Sequence, residues 1–343
     1  MTRTTDDRTI PDPGPDHREI VAGSATIGFV GLGNVGGKLA GSVARNGFDL
    51  VVHELDRSLV EGFVAAGAGA ADTPRELAEH CDVVITCLPN PAASAAVVEG
   101  PEGLLAGWRE GMIWLEMSTT DETEITRLGD LIVAAGGEPV DCPVSGGCHR
   151  AATGNISIFA GCERSTFERV LPLLTVLGRQ VLHTGQLGTA SVLKVATNYL
   201  ATANLITLAE ALTTMAAAGV DLGTTYEAFR ISSGNSFVHE TESQVILNGS
   251  RDISFTMDLV MKDIGLFQSI ADRAGVPLEI NPVMIDIFRD AADRYGDREW
   301  SPNVIRRLED ATGISVRAAG FPAELLDDQP EAVGAEVIVR TDR

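Results

Sequence analysis

Gly28-Phe29-Val30-Gly31-Leu32-Gly33-Asn34-Val35-Gly36 is the stretch that decides the first half of the chain. Upstream, Ala25–Val30 is a short apolar run suited to a buried parallel strand, and downstream Gly37–Ala44 reads as a helix. A Gly-x-Gly-x-x-Gly spacing means little by itself in a chain with 36 glycines. Between a strand and a helix it is the context a dinucleotide requires. Gly31 permits the tight turn, Gly33 lets backbone approach a pyrophosphate, and Gly36 lets helix pack on strand. Leu32, Asn34 and Val35 complete a loop whose phosphate would meet free N–H groups at the helix N-terminus. A second strand, Leu50–His53, ends at Glu54, eighteen residues past Gly36. A carboxylate there accepts hydrogen bonds from ribose hydroxyls and repels a 2′-phosphate, which favours NAD; nearby Arg57 keeps NADP open.

The alternation then repeats. Strand 83–86 follows a helix over 74–80, and strand 112–115 follows a helix over 94–107. Ligands in such sheets sit at strand ends. The Cys87-Leu88-Pro89-Asn90 and Ser118-Thr119-Thr120 turns are therefore placed over the cofactor, with Leu88, Pro89 and Thr119 as contacts, although each alone is equally an ordinary turn or helix cap. The next strand end reads Asp141-Cys142-Pro143-Val144-Ser145-Gly146-Gly147, whose Ser145, Gly146 and Gly147 expose backbone N–H groups as a seat for a carboxylate, or else form a plain turn. Strands 156–160 and 181–183 flank a helix over 164–176. After His183 the pattern is helical: 189–218, 224–231, 238–247, 257–274, 279–295 and 301–310. The expected organisation is a disordered tail (1–23), an α/β Rossmann-type domain (24–187), an all-α domain (188–318) entered through a long inter-domain helix, and an extended or mobile tail (319–343).

At the joint lies Gly185-Gln186-Leu187-Gly188-Thr189-Ala190-Ser191-Val192-Leu193-Lys194-Val195-Ala196-Thr197-Asn198. Lys194 and Asn198 are four apart and share a helix face. Amid apolar neighbours, Lys194 either snorkels to water or lines a cleft with a lowered pKa; its place between two domains favours the cleft. The formal charge of −22 argues against a nucleic-acid partner. Asn198, Thr202, Asn204 and Glu210 interrupt the longest apolar stretch, which reads as a buried helix rather than a membrane span. Five scattered cysteines match no zinc pattern, so no metal is expected, and they read as reduced thiols of a cytoplasmic protein. The Asp- and Pro-rich N-terminus is not a signal peptide.

Four motifs in order resemble the β-hydroxyacid dehydrogenase family: Gly28–Gly36, Asp141–Gly147, the joint with Lys194 and Asn198, and Phe255–Asp263. The resemblance implies a metal-free enzyme that moves a hydride between NAD or NADP and a small 3-hydroxy acid, or its semialdehyde, and forms a homodimer or homotetramer through the helical domain. It implies that Lys194 is catalytic and Asn198 assists it, that Ser145, Gly146 and Gly147 hold the substrate carboxylate, and that Lys262 lines the cofactor side while Asp263 supports the fold. Thr197 departs from 6-phosphogluconate dehydrogenases, which carry His there. Cys148-His149-Arg150 replaces the usual small residues, so His149 and Arg150 either select a second anionic or polar group or face solvent. Phe237 and Trp300 read as core more readily than as pocket, or else shape the cleft, and the segment around Trp300 departs from a plain 3-hydroxyisobutyrate enzyme. A glyoxylic or succinic semialdehyde reductase, an imine reductase (usually without the lysine) and a non-catalytic NAD-binding module are the alternatives.

Overall fold

The computed structural model describes residues 18–339. The expected disorder of residues 1–17 lies outside that range. Residues 18–23, expected to be disordered with them, are ordered: Ile20 is 7% exposed in the core, and its N–H donates to the Arg169 carbonyl at 2.8 Å.

The first half builds a sheet with helices between its strands: β1 Thr26–Val30, α1 Gly36–Arg45, β2 Asp49–His53, α2 Arg57–Ala65, β3 Gly69–Ala70, α3 Pro74–His80, β4 Val83–Thr86, α4 Pro91–Glu99, β5 Ile113–Glu116, α5 Glu122–Ala134 and β6 Glu138–Asp141. Their order is 3-2-1-4-5-6 and all are parallel, which puts a crevice between β1 and β4 where the winding reverses. β1 and β4 are apolar on both faces because helices cover both. The single helix expected over 94–107 is instead α4 followed by a 3-10 turn at Leu104–Gly107. Gly100 turns extended, and Pro101 has no N–H to continue the ladder.

The sheet continues through β7 Val144–Ser145, α6 Gly147–Ala152, β8 Ile156–Gly161, α7 Arg164–Leu177 and β9 Gly178–Gly185. β8 runs antiparallel to β6 and β7, and parallel to β9. The chain then leaves through two left-handed glycines, Gly185 (φ 110°) and Gly188 (φ 90°), into α8 Thr189–Ala217.

Around α8 pack α9 Leu222–Arg230, α10 Phe237–Asn248, α11 Met257–Ala274, α12 Ile280–Tyr295, a 3-10 turn at Ser301–Ile305 and α13 Arg306–Thr312. The second core gathers Leu205, Leu212, Ile246, Val260, Ile264 and Phe288. α8 is long and apolar enough to cross a membrane by length and composition alone, but it packs against α10, α11 and β8 and carries Lys194 buried.

Residues 319–339, part of the tail expected to be extended or mobile, are docked. Asn248 Nδ2 donates to the Phe321 carbonyl at 2.9 Å in the helical domain. Asp327 then accepts from Thr153 and Asn155, and Glu331 pairs with Arg45 at 3.5 Å. β10 Ala335–Glu336 adds to β9 as a parallel edge strand. Strand formation therefore does not end at His183. A two-residue strand in a polar tail has too short a pattern to read.

Candidate active site

The three glycines of the first loop differ in what requires them. Gly31 has φ 96°, and a Cβ there would lie 2.4 Å from the Cys87 carbonyl oxygen. At Gly36 a Cβ would fall 2.0 Å from the Gly31 carbonyl oxygen. Gly33 faces open space with nothing within 4 Å, so nothing in the protein itself demands a glycine there. Beside it α1 begins at an N-cap, Val35, with no side-chain cap. An open lip over uncapped N–H groups fits a pyrophosphate.

Glu54, at the end of β2, accepts from Leu32 N at 2.7 Å and Leu55 N at 2.7 Å, which fixes its carboxylate beside the loop. Arg57 pairs with Asp72 at 2.7 Å on the surface. Opposite, Leu88 N donates to Ser118 Oγ at 2.7 Å, and Ser118 N to Glu116 Oε1 at 2.8 Å. Glu116 is buried, which raises its pKa, and it holds Ser118, whose hydroxyl ties the β4 and β5 turns together. The motifs assigned no role to Glu116, and to Ser118 only a place in the turn over the cofactor. Pro89 lies exposed at the rim, while Asn90 caps α4 through Ala93 N at 2.9 Å. Asn34 Nδ2 reaches the Ser254 carbonyl at 3.4 Å, joining the loop to the helical domain.

At the joint, Asp141 on β6 accepts from both Ser191 N and Ser191 Oγ at 2.7 Å. The first turn of α8 is thereby tied to the sheet, and Lys194, three residues on, shares the tied face. Lys194 is 7% exposed. Burial lowers its pKa from 10.5 to about 8, with nearby Asp263 pulling it up and Lys262 pushing it down. Asn198 Nδ2 donates to Asp263 Oδ2 at 2.5 Å. Lys262 Nζ lies 2.9 Å from Asp263 Oδ1 and donates to the Thr119 carbonyl at 2.7 Å, bridging α11 to the β5 turn. Asp263 thus belongs to the lysine cluster, beyond the fold support expected of it. The Thr197 hydroxyl is turned onto the Lys194 carbonyl at 2.8 Å, back into its own helix.

Ser145 ends β7, and Gly146 (φ 131°) and Gly147 (φ 85°) open α6 without a side-chain cap. His149 and Arg150 follow, each half-buried rather than solvent-facing. Arg150 Cζ sits 4.6 Å from the centroid of the Phe237 ring, and the His149 ring is near-parallel to it at 6.4 Å. Phe237, expected in the core, is 43% exposed. It is the first residue of α10, where no preceding turn covers it, and it leans from the helical domain onto α6. Trp300 is half-buried and bridges Thr256 through its backbone. Among the described residues no cluster of metal-binding side chains occurs, and all five cysteines are free thiols.

Residues 26–185 match the family described as the NAD-binding domain of 6-phosphogluconate dehydrogenase, and residues 188–308 match that of NADP-dependent 3-hydroxyisobutyrate dehydrogenase. The chain is 32% identical over 294 residues to 2-(hydroxymethyl)glutarate dehydrogenase of Eubacterium barkeri, covering 85% of this chain and 98% of that one. It is 33% identical to an NAD-dependent L-serine dehydrogenase of Pseudomonas aeruginosa, covering 83% and 98%. A 3-hydroxyisobutyrate dehydrogenase from Salmonella typhimurium superposes with a TM-score of 0.76 at 27% identity, over 82% of this chain and 99% of that one. An imine reductase from Myxococcus stipitatus shares the fold at 16% identity and a TM-score of 0.57, covering 82% and 99%. The chain belongs to the β-hydroxyacid dehydrogenase family. Within it, this is an NAD(P)-dependent oxidoreductase acting on the CH–OH group of a small hydroxy acid.

Proposed function

We propose that the enzyme interconverts a 2-substituted 3-hydroxypropanoate and its semialdehyde, with Lys194 exchanging the proton of the reacting oxygen. The observation that carries this is the Lys194 ammonium itself: buried at the inter-domain joint, with a pKa of about 8 and the Asn198–Asp263–Lys262 cluster around it. A group poised near neutrality both accepts a proton from an alcohol and returns it to an aldehyde oxygen. As a cation it also stabilises charge on that oxygen. Asn198, braced by Asp263, supplies a second polar group on the same helix face. Ser145, Gly146 and Gly147 hold the carboxylate and so fix which carbon faces the cofactor.

NAD(P), when bound, supplies the hydride acceptor and donor. Gly31–Gly36, Leu88, Pro89, Thr119 and Lys262 line its place, and Glu54 meets the adenosine ribose. Glu54 repels a 2′-phosphate, and Arg57 already has a surface partner in Asp72, which favours NAD. Three relatives act, by name, on 2-(hydroxymethyl)glutarate, L-serine and 3-hydroxyisobutyrate. All three molecules contain HOCH2–CH–COO− and differ in the group on the central carbon. Leu193 and Leu200 stand exposed on α8, which supports a homodimer through the helical domain.

Steady-state oxidation of these three acids, with NAD and then NADP, tests the proposal. Turnover of at least one, faster with NAD, is expected. Failure with all three would refute the substrate reading, and a preference for NADP would refute the role given to Glu54.

A further inference from the structure

Arg150 is not used by the reaction above, and it is one of the few described arginines that hold no carboxylate. With 48 acidic residues against 26 lysines and arginines, most described arginines hold a carboxylate. Among the described residues Arg150 makes no ion pair; its guanidinium lies on the Phe237 ring instead. The nearby acid, Asp327, is already engaged: Oδ2 accepts from Thr153 and Asn155, and Oδ1 from Gln329 N. His149 adds no charge, since burial and Arg150 lower its pKa. The Arg150 stem lies over Gly146, with Cδ 3.3 Å from where a Cβ would stand. A guanidinium fork, stacked and half-desolvated, is thus held across the domain gap beside the carboxylate seat, with no carboxylate of its own.

We propose that Arg150, braced on Phe237, is a specificity residue that binds a second carboxylate, carried on the substituent of the substrate's central carbon. The preferred substrates are then dicarboxylic 3-hydroxy acids. This rests on the reading that Ser145–Gly147 seat the carboxylate next to the reacting centre. A planar fork suits a carboxylate bidentately, and stacking on an aromatic face limits the freedom lost when it binds.

The test compares 2-(hydroxymethyl)glutarate with 2-(hydroxymethyl)pentanoate, in which a methyl replaces the distal carboxylate, in the wild type, Arg150→Gln and Arg150→Lys. The wild type should prefer the diacid. In Arg150→Gln the diacid-to-monoacid ratio of kcat/KM should fall roughly 10- to 100-fold, the range for a lost charge-assisted pair, with Arg150→Lys in between. A wild-type preference for the monoacid, or an equal loss on both acids in Arg150→Gln, would overturn the proposal. Thermal shifts by each acid with NAD+ present supply a readout independent of turnover. If the wild type oxidises neither acid, and neither L-serine nor 3-hydroxyisobutyrate, the reaction assigned above has failed. The diacid must then still stabilise the wild type more than Arg150→Gln, or this proposal fails too.

Discussion

Replacing Lys194 with Met should make the protein more stable while removing its activity. Burial moves the Lys194 pKa from 10.5 to about 8. At pH 7 the folded protein therefore holds an ammonium it would favour less than the unfolded chain does, at a cost of about 3 kcal/mol at most. The sign follows from the depressed folded pKa: the destabilisation is complete below pH 8, fades as pH rises through 8, and is gone above 10.5. Met keeps the length and apolar stem without the charge, and Asp263 retains Lys262 and Asn198 as partners. Urea unfolding at pH 7 should show Lys194→Met more stable by about 1–3 kcal/mol, with the difference shrinking toward zero near pH 10.5. A variant less stable at pH 7, or a difference that does not change with pH, would refute the argument that a buried, proton-ready lysine is held at the joint.

The same lysine sets a pH dependence: kcat/KM for alcohol oxidation should rise with pH and level off near 8, while aldehyde reduction should fall above 8; profiles flat through that region would contradict the proton-exchange role. Gly36→Ala should destabilise the apoprotein, because its Cβ meets the Gly31 carbonyl. Gly33→Ala should leave apoprotein stability intact and weaken NAD binding, as equilibrium unfolding and calorimetry would separate. Ser191→Ala should cost about 1.5–3 kcal/mol at pH 8, since it takes a hydrogen bond from a buried carboxylate. The cost should shrink toward pH 5, because the Asp141 pKa is raised by burial to about 7 and its proton then replaces the lost donor. Deleting residues 322–343 should lower the urea midpoint and raise KM for the acid more than for NAD, because Asp327 braces the α6 loop; an unchanged KM ratio would make the segment a sheet edge only.

The geometry of the loop proposed to hold the cofactor was legible because its causes are local. Gly31 and Gly36 are required by backbone within a few residues or by the adjacent strand end, and Glu54 closes the very next strand. That Lys194 and Asn198 share one face of a helix at the joint was legible because a helix face is a matter of spacing, and because glycines mark the joint. What the sequence hid depends on contacts between distant segments. Asp263 joins Asn198 from 65 residues away, and Phe237 reaches Arg150 from another domain. Asp327 finds Thr153 from 174 residues away. Periodicity also misplaced α4, since an apolar run hid the Gly100-Pro101 break.

Turnover by Lys194→Ala tests the central claim most directly. With an acid the wild type oxidises, kcat should fall at least about 100-fold, the usual contribution of a positioned acid–base group, while the NAD dissociation constant stays within about threefold. A variant keeping more than about a tenth of the wild-type kcat, or one that no longer binds NAD, would contradict the account of Lys194 as the group that exchanges the proton.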